Sequence, residues 1–171
     1  MSDPIQLRTL SPSDSDWVNE WLRSDWGSSR IVTRGRLHDP MDFPGWVAHR
    51  ASTPVGVLVY RPLGDAAELL WLQVHERRQG IGRQLVEALQ SDGWTRRWSR
   101  IWAITTEDNR DALEFYRAMD FECVARHEGA LDVARRLKPS IPEVGSHGKP
   151  LHDELELAVE LTRRQDEPPA R

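Results

Sequence analysis

A single cysteine, Cys123, stands among 171 residues, so an internal disulfide is excluded and a reducing, cytoplasmic setting is expected. It lies between Glu122 and Val124 in a strand-like stretch and reads as a buried structural thiol, because a nucleophilic role would need a histidine partner and an electropositive cleft. No apolar run approaches the length of a membrane-spanning helix, and Met1-Ser2-Asp3-Pro4 has neither the basic flank nor the hydrophobic stretch of an export signal. Basic residues are not in excess. The 23 Lys and Arg against 27 Asp and Glu leave a net charge of −4, which argues against a general nucleic-acid binder. The pairs His38-Asp39, His127-Glu128 and His152-Asp153 are adjacent, so their side chains would leave opposite sides of a strand, and no metal set is expected. What is present, 39% hydrophobic and 29% charged residues, suits one globular domain with a sizeable core.

Strand and helix patterns alternate along the chain without an internal repeat. Ile5 to Leu10 reads as a strand, and Ser13 or Asp14 then caps a helix whose Trp17, Val18, Trp21 and Leu22 form one apolar stripe. From Trp26 to Trp46 the pattern loosens around Gly27, Gly35, Pro40, Pro44 and Gly45. Trp46 to Ala51, Val55 to Tyr60 and Glu68 to Val74 are the next strands. A helix is expected from Gly80 to about Arg97, with Gly93 as a possible earlier stop, then a buried strand from Arg100 to Thr105. Asp108 or Asn109 caps a helix in which Ala112, Phe115, Tyr116 and Met119 recur at i, i+3, i+4 and i+7. Glu122 to His127 extends the sheet, and Ala130 to Leu137 forms a short helix before a long loop. His152 to Leu161 closes the fold, with Leu155, Leu157, Val159 and Leu161 facing the core and Glu154, Glu156 and Glu160 alternating with them.

The most informative segment is Arg77-Arg78-Gln79-Gly80-Ile81-Gly82, between the Glu68 strand and the following helix. Gly80 and Gly82 let the backbone turn sharply and bring successive N–H groups to an anion, and the helix start adds unpaired N–H groups and the positive end of its dipole. Arg77, Arg78 and Arg83 flank the spot and can add charge-assisted hydrogen bonds. A pyrophosphate is the natural guest. The dinucleotide pattern G-x-G-x-x-G is not met, because Leu85 fills the place of the third glycine and Ser99-Arg100-Ile101-Trp102 offers no acidic residue. The nucleoside-triphosphate pattern is not met either, because Arg83-Gln84 stands where Lys-Ser or Lys-Thr is needed.

The remaining pattern, R-x-x-G-x-G at the end of a strand, resembles the acyl-CoA loop of the GNAT superfamily of N-acyltransferases. Asn109 to Phe121 reads N-x-x-A-x-x-F-Y-x-x-x-D-F, similar to that superfamily's N-x-x-A-x-x-F-Y-x-x-x-G-F block, with Asp120 where glycine is usual. Aspartate tolerates a left-handed helix end better than most residues. The resemblance runs from Ile5 to Leu161, with its specific motifs in the middle. It implies a single α/β (mixed α+β) domain over residues 1–161, with a frayed tail over 162–171. The implied sheet is mixed, mostly antiparallel, of six to seven strands flanked by helices and splayed at strands 4 and 5.

The same resemblance implies transfer of the acetyl group of acetyl-CoA to a primary amine by direct attack in a ternary complex, without a metal. A small molecule is expected ahead of a protein, with small amines, amino-sugar or nucleoside antibiotics, amino acids and a protein N-terminus all open. Leu72, Gln73 and Val74 would offer backbone groups to the pantetheine, the Leu72 N–H reaching the thioester oxygen. The N–H groups from Arg78 to Arg83, through Gln79, Gly80, Ile81 and Gly82, would hold the pyrophosphate. Asn109 would bond the pantetheine, a role compatible with capping. Tyr116 would be the acid for the departing thiolate, or else a core aromatic of its helix. Glu68 would drain the amine's proton, since alternation puts it on one face with Leu70, Leu72 and Val74, near the thioester and with a raised pKa; a strand-edge carboxylate is the other reading of it.

The acceptor site is expected near Ser24 to Phe43 and Ser140 to Pro150, with Asp25, Asp39, Asp42, Glu143 and Glu154 as an acidic lining or, equally, a solvated rim. Trp17, Trp21, Trp26 and Trp46 crowd that region. A coenzyme-sensing module without turnover and a nucleotide-binding α/β protein are the alternatives. Monomer and homodimer stay equally open.

Overall fold

Apolar and β-branched residues from Val55 to Val74 give the sheet its two longest strands, β5 (Thr53–Leu63) and β6 (Ala66–Val74), joined through Gly64 with φ of +61°. The computed structural model of the chain describes residues 3–161; the tail expected to fray, 162–171, lies outside them. The other strands are β1 (Ile5–Thr9), β2 (Ile31–Thr33), β3 (Arg36–His38), β4 (Gly45–Arg50), β7 (Arg100–Thr105), β8 (Glu122–His127) and β9 (Glu154–Glu160). The helices are α1 (Ser15–Trp26), α2 (Ile81–Arg96), α3 (Arg110–Ala118) and α4 (Ala130–Leu137). Seven strands form one sheet in the order β1-β4-β5-β6-β7-β9-β8, and β2 and β3 pair separately. All neighbours in the large sheet are antiparallel except β6 and β7. The mixed, mostly antiparallel sheet read from the sequence is therefore what forms.

The two faces of the sheet bury different sets of residues. One packs Leu58, Leu69, Ile81, Leu85, Leu89 and Phe121 beneath α2 and α3; the other packs Val47, Val57, Val59 and Trp71 against Val18 and Leu22 of α1. Each face removes a continuous apolar surface from water, at about 25 cal/mol per Å².

The parallel ladder is short. Pairing runs from Ala66↔Arg100 to Leu69↔Ala103 and no further, so the end of β6 leaves its neighbour. A β-bulge lies at that point: Tyr60 pairs with Leu69 and Val59 with Trp71, which leaves Leu70 unopposed. An extra residue bends and twists a strand, and here the bend opens the sheet between β6 and β7. These are the fourth and fifth strands of the expected scheme, renumbered by β2 and β3.

The bulge also reverses side-chain alternation. Leu69 and Leu72 belong to one core cluster, and the consecutive Leu70 and Trp71 to the other. Glu68 therefore shares a face with Trp71 and Gln73, not with Leu72 and Val74 as strict alternation implied.

Four further local differences have physical causes. The β2–β3 hairpin turns through Arg34 and Gly35, with φ of +50° and +67°, in a stretch read as irregular because three-residue strands carry no visible period. Gly93 does not stop α2 but lets it lie close to Trp98, whose ring a Cβ would meet at 3.1 Å. Cys123 is exposed rather than buried, because β8 is the edge strand. Glu154 and Glu156 are buried, because β9 sits inside the sheet, with β7 on one side and β8 on the other. Asp120, by contrast, takes the left-handed conformation expected of it, with φ of +64°.

Asp14 ties β1 to α1. Its carboxylate accepts from Arg8 at 2.7 and 2.8 Å, from the Ser11 N–H at 2.9 Å and from Trp17 Nε1 at 2.9 Å. The Arg8 hydrogen bonds hold its pKa well below the usual carboxylate range. A depressed pKa gives stability that is complete above the unfolded value of about 3.9 and is lost as pH falls toward the folded one. Asp14→Ala is expected to cost about 1.5–3 kcal/mol at pH 7 and progressively less below pH 4, read from urea midpoints across that range. A cost independent of pH would show that the carboxylate charge is not what stabilises the junction.

Candidate functional site

Where β6 and β7 separate, a cavity of about 500 Å³ opens. Leu69 to Leu72 of β6, Ile104 to Thr106 at the end of β7, and Asn109, Ala112 and Tyr116 form one part of its wall. The end of α1 with Asp25 and Trp26, β2, Leu131 and Lys138 of the α4 region, and Glu154 complete it. Beyond Leu69 the β7-facing backbone edge of β6 has no strand partner, so its N–H and C=O groups are available to an extended guest.

β6 then leads into the glycine loop. Gly80 is the N-cap of α2 in the left-handed conformation, φ +75°, which an L side chain would strain. No side chain caps this helix and no acidic residue lies in its first turn, so the N–H groups of Ile81, Gly82 and Arg83 lack intrahelical partners. Gly82 serves packing as well, because a Cβ there would meet the Phe115 ring at 3.1 Å. The loop's long side chains lie on the surface: Arg77 reaches Asp111 at 2.8 Å, Gln79 accepts from Arg50 at 2.7 Å, and Arg83 lies 3.8 Å from Glu87.

Of the catalytic and coenzyme-binding residues singled out from the sequence, the cavity wall brings together Leu72, Asn109 and Tyr116. Asn109 caps α3, its side-chain oxygen accepting from the Ala112 N–H at 3.2 Å. Tyr116 is buried beside Phe115 and Phe121, and its hydroxyl has no hydrogen-bond partner among the described residues. Burial pushes its pKa up, so the phenol stays protonated at neutral pH.

Glu68, Gln73, Val74 and the segment from Arg77 to Arg83 lie outside that wall. Glu68 is fully buried. Arg61 donates to its Oε2 from Nε at 3.0 Å and Nη2 at 2.5 Å, while Oε1 is buried without a hydrogen-bond partner. The Gln73 side chain braces α1, accepting from Trp26 Nε1 at 3.3 Å and Trp71 Nε1 at 3.1 Å and donating to Asp25.

The expected acidic lining is smaller than forecast. Asp25 and Glu154 are on the wall; Asp39 instead accepts from the Met41 N–H at 3.0 Å, and Asp42 and Glu143 stand elsewhere. Trp26 reaches the cavity, whereas Trp46 lies on the other sheet face with its Nε1 bonded to Asp92 at 2.9 Å.

Two wall residues carry charge that local reading undervalued. Glu154 is 1% exposed, and its Oε2 accepts from the Arg34 N–H at 3.2 Å. Burial raises its pKa against the opposing pull of the Arg34 N–H and the Arg34 and His127 charges, and the Glu68 charge adds a smaller rise. Lys138 is 6% exposed, donates to the Arg30 carbonyl at 3.0 Å and lies 5.9 Å from the Trp26 ring centre. Burial lowers its pKa. Glu154 is among the residues expected in the acidic lining; its burial, and the place of Lys138 on the wall, depend on the nonlocal packing of β9 and α4. Among the described residues no group of His, Cys, Asp and Glu is placed to hold a metal ion, and no helix is long and apolar enough to cross a membrane.

Residues 13–121 match the family described as acetyltransferase (GNAT). The Bacillus subtilis (strain 168) protein YxbD is 30% identical over 147 residues, 85% of this chain and 92% of its own. Among solved structures, Arabidopsis thaliana NAA60 in complex with a bisubstrate analogue superposes with a TM-score of 0.67 at 16% identity, covering 92% of this chain and 98% of that one. A GNAT family acetyltransferase from Elizabethkingia anophelis with acetyl-CoA bound gives 0.64 at 19% identity, covering 93% and 99%.

The Arg61–Glu68 pair sets a stability test. Arg61→Met leaves a buried carboxylate uncompensated and is expected to cost about 3–5 kcal/mol by urea unfolding. Adding Glu68→Gln should recover much of that loss. A single variant as stable as the parent would remove the pair as an internal brace.

Proposed function

The chain belongs to the GNAT family of acetyltransferases, and from that premise we propose that it moves the acetyl group of acetyl-CoA to the primary amine of a small molecule within a ternary complex. The observation that carries this reading is the cavity at the β6–β7 opening, bordered by an unpaired backbone edge. The residues present fit the coenzyme: Leu72 to Val74 offer the strand edge, Arg78 to Arg83 the uncapped N–H groups for a pyrophosphate, and Asn109 an amide beside the arm. The acetyl-CoA bound to the Elizabethkingia relative supports the same choice of donor.

In the proposed step the neutral amine attacks the thioester carbon. A C–N bond forms, the C–S bond breaks, and negative charge passes through the thioester oxygen, where the Leu72 N–H is assigned as donor. The thiolate takes a proton from Tyr116, whose high pKa keeps that proton available at neutral pH. The amine's own proton leaves to a carboxylate. Glu68 was the residue the sequence offered; Glu154, which borders the cavity with a raised pKa, is the better-disposed base, with Glu68 behind it shaping its charge.

Turnover is tested by following thiol release from acetyl-CoA across a panel of small amines. Tyr116→Phe is expected to lower kcat about 100-fold with little change in the KM for acetyl-CoA. An unchanged kcat would remove Tyr116 as the acid, and coenzyme binding without turnover of any amine would favour a sensing role.

The pH–rate profile separates the two carboxylates. A general base must be ionised, so the rate rises with pH through its pKa. Glu154→Gln should abolish that rise, whereas Glu68→Gln should move it to lower pH by removing the charge that raises Glu154. The reverse pattern would return the role to Glu68.

A further inference from the structure

The charges on the cavity wall do not suit a simple amine. Asp25, Glu154 and Lys138 are the ionisable acids and ammonium that border it. A cationic acceptor alone would face the two carboxylates and leave the lysine unanswered.

Lys138 is an unusual group in this place. It is 6% exposed, and among the described residues no carboxylate oxygen lies within 4.0 Å of its ammonium. Of its three N–H donors, one meets the Arg30 carbonyl at 3.0 Å, and the Trp26 ring face lies 5.9 Å away. A buried cation without a counter-ion is costly, and an anionic ligand beside it would offset that cost. The residue is held at that spot: its own N–H closes the end of α4 on the Ala134 carbonyl at 2.8 Å, and Pro139 follows it. The contacts of its ammonium come from the end of α1 and the approach to β2, a part of the wall separate from the α2 start assigned to pyrophosphate.

Resting on the transferase reading, we propose that the acceptor is a small amino acid or a close analogue, with Lys138 binding its carboxylate and Glu154 facing its amine. A carboxylate matches the single positive charge, and the donors left over on Lys138 suit its two oxygens. The ligand's ammonium answers Glu154, so the occupied cavity gains one charge of each sign. A phosphate dianion would exceed what one lysine neutralises.

The test uses the full chain, acetyl-CoA and matched acceptors: free amino acids, the corresponding carboxamides, the corresponding amines without the carboxylate, and O-phosphoethanolamine. Thiol release gives kcat and KM for each. The amino acids are expected to exceed their amines and amides by about 10- to 100-fold in kcat/KM, the range of a hydrogen-bonded charge. Lys138→Met should close that gap by raising the KM for the amino acids, while Lys138→Arg should keep part of it. Protection of Lys138→Met against heat by acetyl-CoA checks its fold, and the comparison on the unaltered protein needs no variant.

Amines and amides used as well as the amino acids, or a preference that persists in Lys138→Met, would overturn the inference. O-Phosphoethanolamine outrunning the amino acids would overturn the carboxylate in favour of a phosphate. Turnover of plain amines alone would leave the transferase standing without this specificity; no turnover of any amine by the coenzyme-bound protein would remove both.

Discussion

A single unopposed residue, Leu70, governs the molecule. Because Val59 pairs with Trp71 and Tyr60 with Leu69, β6 carries one residue more than β5 at that point, and its pairing with β7 ends there, at Leu69↔Ala103. Three consequences follow from that bulge. The backbone edge of β6 is left open, a cavity forms between the strands, and the face on which every later β6 side chain projects is reversed. The uncapped start of α2 has a separate, local cause, since its N-cap is Gly80 in the left-handed conformation and no acidic residue lies in its first turn.

Around that opening the two sheet faces divide the work. The face packed by α2 and α3 supplies the loop, Asn109 and Tyr116, rigid because Phe115, Tyr116 and Phe121 pack on one another and because Gly82 admits the Phe115 ring. The other face, with α1, the β2–β3 hairpin and α4, supplies ionisable groups whose environments differ sharply. Glu68 is paired to Arg61, Glu154 is held by one backbone N–H, and Lys138 by one carbonyl. The hydrogen bonds of Gln73 to Trp26, Trp71 and Asp25 fix the end of α1 to β6, so the acceptor wall is braced against the strand assigned to the thioester.

Much of this was legible from local chemistry. The i, i+3, i+4 stripe from Ala112 to Met119, the cap at Asn109, the left-handed Asp120 and the glycine pair at 80 and 82 each leave a mark within a few letters, and each element forms as read. The bulge leaves none, since Leu69-Leu70-Trp71-Leu72 is apolar throughout and no period can reveal one extra residue in it. That is why Glu68 was set on the wrong face. Glu154 looked solvent-facing because alternation describes one strand at a time, whereas its burial depends on β9 lying between β7 and β8. Cys123 is the converse case, a residue of ordinary strand appearance placed on the exposed edge. Lys138 gained meaning only once α4 had packed near Trp26 and Arg30, residues more than a hundred positions away in the chain.

The central claim is that the opening made by the Leu70 bulge is the seat of the thioester. A crystal structure of the protein grown with acetyl-CoA tests it most directly. The account predicts the pantetheine arm lying along Leu72 to Val74 between β6 and β7, its thioester oxygen at the Leu72 N–H and its pyrophosphate on the N–H groups from Arg78 to Arg83. Coenzyme bound on any other surface, with the β6–β7 opening filled by side chains or water alone, would contradict it.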